Sequence, residues 1–187
     1  MSLSFKDIKG KYPREFSGGE LQRISITRAL LSKPSLIIVD EPVSMIDASM
    51  RMNILNMFKS LKDDDKISFI YVTHDLATAY YISDDIAIMY RGVIVEVGPA
   101  EKVLIERYHP YTKALIETLP EYSKRNEWFA KKVKPPGIEV KEFMISYYKY
   151  AHLCHFKMDI CTQKRPPMID VNGVKVSCWL YKKLEWE

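Results

Sequence analysis

The chain has 187 residues, 47% of them hydrophobic, with a formal net charge of +4 and three cysteines, enough for one core with a small addition. No run approaches the roughly 18 apolar residues of a membrane span and the start MSLSFKDIKG lacks a signal peptide's apolar segment, so a cytoplasmic chain is expected. Residues 1–120 hold 15 basic and 16 acidic side chains and residues 121–187 hold 13 and 8, an excess too scattered to imply a nucleic-acid partner.

In chain order, EFSGGELQR at 15–23 opens the first helix. Ser17 is a good N-cap and Glu20, three residues on, completes a capping box. Gly18 and Gly19 weaken the helix but leave its first N–H groups bare, which makes an anion site. The helix runs through GGELQRISITRALLS to Lys33-Pro34, with apolar residues on more than one side, and is expected to be largely enclosed. Leu36–Val39 is an unbroken apolar run ending in Asp40 and Glu41, as for a parallel strand covered on both faces. SMIDASMRMNILNMFKSL reads as a helix with Ile54, Phe58 and Leu61 on one face and Asp47 near its start. ISFIYV repeats the buried-strand pattern and ends in Thr73, His74 and Asp75. Strand, helix, strand with polar residues after each strand is the α/β pattern, whose ligands bind beyond the carboxyl ends of the strands.

DDIAIMYRGVIVEVG predicts a β-hairpin turning at Arg91-Gly92, with Val93, Val95 and Val97 on one face. PAEKVLIER and HPYTKALIETLP add two short helices, the second closed by Pro120. From Glu121 the texture becomes charged and aromatic, which puts a domain boundary near residue 121 and divides the chain into 1–120 and 121–187. Cys154, Cys161 and Cys178 all fall late; in a cytosolic chain such a cluster suggests metal or cluster binding more than a disulfide frame.

FSGGELQR at 16–23, LIIVDEP at 36–42, SMID at 44–47 and THD at 73–75 stand in one order. They resemble the signature motif, Walker B strand, D-loop and switch histidine of the nucleotide-binding subunit of ABC transporters. The resemblance covers about residues 12–120, and HPY at 109–111 narrows it to the oligopeptide and dipeptide importer subfamily. It implies an α/β fold: part of a P-loop-NTPase-like parallel sheet with flanking helices, a β-hairpin and a small cysteine-containing C-terminal appendage. It implies ATP and magnesium as cofactors, with Asp40 holding the magnesium, Glu41 as general base and His74 reaching the γ-phosphate. Asp47 would help join two halves of a dimer, and an N-cap role for it is compatible with that. Ser17, Gly18 and Gly19 would close over the ATP of a partner subunit, where side chains would block the phosphate. Glu20 replaces the family's usual glutamine, and Met45 and Ile46 its commoner alanine and leucine.

A complete subunit also needs a P-loop, G-x-x-x-x-G-K-[ST], and a Q-loop glutamine ahead of the signature. No two of the glycines at 10, 18, 19, 92, 98, 137 and 173 have that spacing, and the glutamines are Gln22 and Gln163 alone. The chain therefore reads as the C-terminal portion of a larger protein, inactive by itself. Its expected partners are a second ATPase subunit and membrane permease subunits, at the inner face of the cell membrane. Uncovered sheet edges make self-association a further expectation. In the tail, the resemblance implies a four-cysteine pattern that holds an iron–sulfur cluster in some members, but the first cysteine is here Tyr148. His152 or His155 would then complete a set suited to zinc or iron; buried, reduced thiols are the alternative. Two other readings are a C-terminal lobe of a chromosome-maintenance or DNA-repair ABC ATPase and a stand-alone metal-binding module.

Overall fold

Strand β1 (Leu36–Asp40) runs parallel to β2 (Ser68–Val72), Leu36 opposite Ser68 and Asp40 opposite Val72, in a computed structural model that describes residues 4–44, 46–118 and 145–182. Before them come α1 (Phe5–Ile8), a 3-10 turn at Pro13–Glu15 and α2 (Gly18–Leu30). Helix α3 (Ala48–Asp63) connects the strands and α4 (Leu76–Ile82) comes after them. The core of this unit lies between one face of the strand pair and the helices, built from Ile26, Ile37, Val39, Ile54, Leu55, Phe58 and Ile82. The fully buried Phe58 ring meets Phe69 edge-on at 5.3 Å.

The other face is bare. Leu36, Ile38, Ile70 and Val72 are exposed, Ile38 to 67%, so the strands expected to be covered on both sides are covered on one. The register sets Ile38 beside Ile70, which makes these side chains one continuous apolar surface. Helix α2 also departs from expectation: it buries only Gly19 and Ile26, while Leu31 is exposed. Ile24, Ala29 and Leu30 are only partly covered, Leu30 by the edge of the core.

The described residues from Asp84 onward form a second compact unit. Its β-hairpin, β3 (Asp85–Tyr90) and β4 (Val93–Pro99), carries a bulge at Ile88/Met89. Arg91 and Gly92 turn it with φ of +47° and +76°, the left-handed pair that matches the twist of paired strands. Helices α5 (Ala100–Glu106) and α6 (Pro110–Glu117) come next, and the later strands β5 (Ile169–Val171) and β6 (Val174–Val176) complete an antiparallel sheet in the order β3-β4-β6-β5. The tail is thus no separate appendage, because β6 pairs with β4 of the hairpin. The boundary expected near residue 121 lies outside the described residues; the division found is between Ser83 and Asp84, and it groups residues 84–118 with the tail.

Candidate functional site

The start of α2 is exposed and capped reciprocally. The Ser17 hydroxyl oxygen accepts from the Glu20 N–H at 3.3 Å, and the Glu20 carboxylate accepts from the Ser17 N–H at 2.8 Å. The Ser17 N–H and, at 2.9 Å, the Ser17 hydroxyl both donate to Glu20 Oε2, and they hold its carboxyl below the usual carboxylate range. Gly18 is exposed, as an anion-facing glycine must be. Gly19 is buried instead: a Cβ there would lie 3.2 Å from Met50 Cε and 3.9 Å from Ile46 Cγ2. Its missing side chain makes room for this chain's own α3, so of the glycine pair expected to leave an open approach to phosphate, Gly18 alone is exposed.

Asp40 and Val72 end the two parallel strands side by side, and the residues just beyond each strand meet across the gap. The Glu41 N–H donates to the Val72 carbonyl at 2.9 Å. The His74 N–H donates to Glu41 Oε1 at 3.1 Å, and His74 Nδ1 lies 2.6 Å from the same oxygen. Glu41 has φ of +47°, a left-handed conformation that costs free energy in a residue with a Cβ and recurs where function holds it in place. Asp40 is exposed at the strand end. A carboxylate free to face solvent, a second carboxylate and an imidazole therefore share the edge where open α/β sheets bind ligands. Asp47 caps α3, accepting from the Met50 N–H at 3.0 Å.

Chemically, a hard divalent cation suits the exposed Asp40 oxygens, and the Glu41–His74 pair can accept a proton and bind an anionic oxygen. The amides at the start of α2 add an anion site. No lysine-bearing phosphate loop is present in the sequence to complete the set.

Among the described residues no three His, Cys, Asp or Glu side chains come close enough to hold an ion. Cys161 and Cys178 are buried, and Cys161 packs in a core with Tyr148, Tyr150, Ala151 and Trp179. Burial pushes the Cys178 thiol up to about 11 and raises Cys154 as well. His152 and His155 are exposed, His152 being 2.9 Å from the Tyr147 hydroxyl. Tyr148, standing where the resemblance implies a first cysteine, is buried and 2.6 Å from His109 Nε2.

Sequence reasoning missed that last network. His109 Nδ1 accepts from the Tyr111 N–H at 3.0 Å and so caps α6. Glu96, fully buried in β4, accepts from the N–H groups of Tyr108 and His109 at 2.9 and 3.1 Å. The available signal was a lone acid inside a valine-rich strand, a position that buries a charge unless hydrogen bonds compensate it.

Residues 95–161 match the family model for the oligopeptide/dipeptide transporter C-terminal region, and residues 2–44 match the ABC transporter model. The chain is 43% identical over 161 residues to the oligopeptide transport ATP-binding protein OppF of Streptococcus pyogenes serotype M1, covering 86% of this chain and 46% of that one. To OppF of Bacillus subtilis strain 168 it is 43% identical over 115 residues, 62% of this chain and 38% of the other. It thus spans about half or less of the length of the curated relatives it matches. A solved ABC transporter in an inward-facing conformation aligns with a TM-score of 0.50 at 23% identity, over 57% of this chain and 41% of that one; the likeness is one of fold.

Proposed function

We propose that this chain, a relative of the ATP-binding proteins of oligopeptide and dipeptide transporters, contributes part of the ATP-hydrolysing site of such a transporter. The 2.6 Å contact between Glu41 and His74 at the carboxyl ends of β1 and β2 carries this reading. Glu41 would take the proton of the attacking water, and His74 would both orient Glu41 and bind the terminal phosphate oxygen. Asp40 would hold magnesium, most simply through water. Bound Mg-ATP supplies the phosphoanhydride and the cation that offsets its charge. Ser17 and the exposed Gly18 would cap the triphosphate held by a second ATPase subunit, with Glu20 fixing the helix start and Asp47 near the junction.

Residues 1–120 would be nucleotide-binding and residues 121–187 the importer-type tail, with permease subunits as partners at the inner membrane face. In the described residues no helix is long and apolar enough to cross a membrane. The bare face of Leu36, Ile38, Ile70 and Val72 supports self-association when the chain is alone. No observation favours a repair-ATPase lobe.

The test is to join the part of OppF that carries the phosphate loop to the start of this chain and measure phosphate release. Hydrolysis that disappears in Glu41→Gln is expected; an active fusion indifferent to Glu41→Gln refutes the assignment. The chain alone should show no low-micromolar binding of Mg-ATP by calorimetry.

A further inference from the structure

The carboxylate of Asp75 is divided between two elements. Oδ1 accepts from the N–H groups of Ala77 and Thr78, at 3.0 and 3.3 Å, and so caps α4. Oδ2 faces Arg51 Nη1 at 3.4 Å, with both side chains about one-third exposed. The Asp75 N–H donates back to Thr73 Oγ1 at 3.0 Å, which closes the loop around His74. His74 itself is held by Glu41 on the other side.

Arg51 lies on the first turn of α3, and its neighbour Met50 is the residue that fills the space over Gly19 at the start of α2. Two consecutive residues of one helical turn therefore reach two different parts of the candidate site, the first turn of α2 and the loop around His74. A hydrogen-bonded turn moves as a unit, so the start of α2 and the His74 loop shift together unless one of these contacts gives way. The α4 cap alone would leave Asp75 free to move with α4; the Arg51 contact ties it to α3 as well.

We propose that Arg51 is a positioning residue for the Glu41–His74 pair: by holding Asp75 against α3 it fixes the loop that presents His74 to Glu41, and through Met50 it ties that loop to the capped start of α2. This rests on the hydrolytic reading above only for its consequence, not for its geometry. The Arg51–Asp75 contact is a single-point one, so a lysine can replace the arginine in part, whereas an uncharged side chain of similar length cannot.

The experiment tracks backbone amides of this chain by NMR hydrogen exchange in the wild type, Arg51→Met and Arg51→Lys. In Arg51→Met the His74 amide should exchange about tenfold faster, while the Phe58 amide in the middle of α3 and the melting temperature stay unchanged; Arg51→Lys should recover most of the protection. His74 protection equal to wild type in Arg51→Met overturns the proposal, and so does an equal loss at Phe58, which would mean that Arg51 serves the helix as a whole. In the fused ATPase, Arg51→Met should lower kcat at least tenfold at constant KM for ATP. A fusion that is inactive with Arg51 in place counts against the hydrolytic reading alone, since the exchange measurement needs no nucleotide.

Discussion

The Tyr148 hydroxyl and His109 Nε2 are 2.6 Å apart inside the second unit, joining the tail to the cap of α6. Replacing the phenol removes one hydrogen-bond partner of a buried imidazole, at a cost of about 1 kcal/mol. Tyr148→Phe should therefore lower the denaturant midpoint of this unit with an unchanged slope, monitored by circular dichroism.

His109 also sets an acid limit. Burial lowers its pKa from 6.5 to about 4, so between these values the unfolded chain binds a proton that the folded chain refuses. The contribution is complete above about pH 6.5 and is lost as pH falls toward 4, for a total of about 3 kcal/mol. Glu96, whose carboxyl burial raises, acts in the opposite sense near the lower end, since protonating it favours the fold. Denaturation from pH 7.5 to 4.5 should show stability declining below pH 6.5, and His109→Gln should flatten the curve.

Gly98 of β4 has no room for a side chain. A Cβ would fall 3.2 Å from Val174 Cα and 3.3 Å from the Gly173 carbonyl oxygen, both backbone atoms that cannot rotate away. Gly98→Ala should cost about 1 to 3 kcal/mol and weaken the pairing of β4 with β6, seen as faster amide exchange at Val176.

The thiols should react in order of exposure. Cys154 is half-buried while Cys161 and Cys178 are buried, and Cys178 is shifted up to about 11. With Ellman's reagent at pH 8 one thiol should titrate before unfolding and the other two with it. Rapid reaction of all three would contradict the packing.

The capping box at the start of α2 predicts that Ser17→Ala costs about 1 kcal/mol, while Glu20→Gln keeps the reciprocal bond to the Ser17 N–H. Thermal melts of both variants check this.

Local chemistry was legible where one residue decides it. Ser17 with Glu20, Asp47 ahead of α3, and Arg91-Gly92 in the hairpin are each written in their own side chains and appear where expected. Burial was not legible, because Leu36–Val39 reads as covered on both sides and the cover of one side lies in no part of the described chain. The pairing of β6 with β4 joins residues about eighty apart, and short strands such as Val174–Val176 have too little period to announce a partner. At the candidate site the order of motifs pointed to Glu41 and His74, but not to the Arg51–Asp75 contact, since nothing in a sequence says which cation meets which acid.

The positive φ of Glu41 carries an evolutionary consequence. Glycine at this position would relax the backbone by about 1 kcal/mol, so the sturdier turn is the one without a carboxylate. Random variants screened for heat tolerance alone should drift toward glycine or asparagine at residue 41, giving up the carboxylate that faces His74.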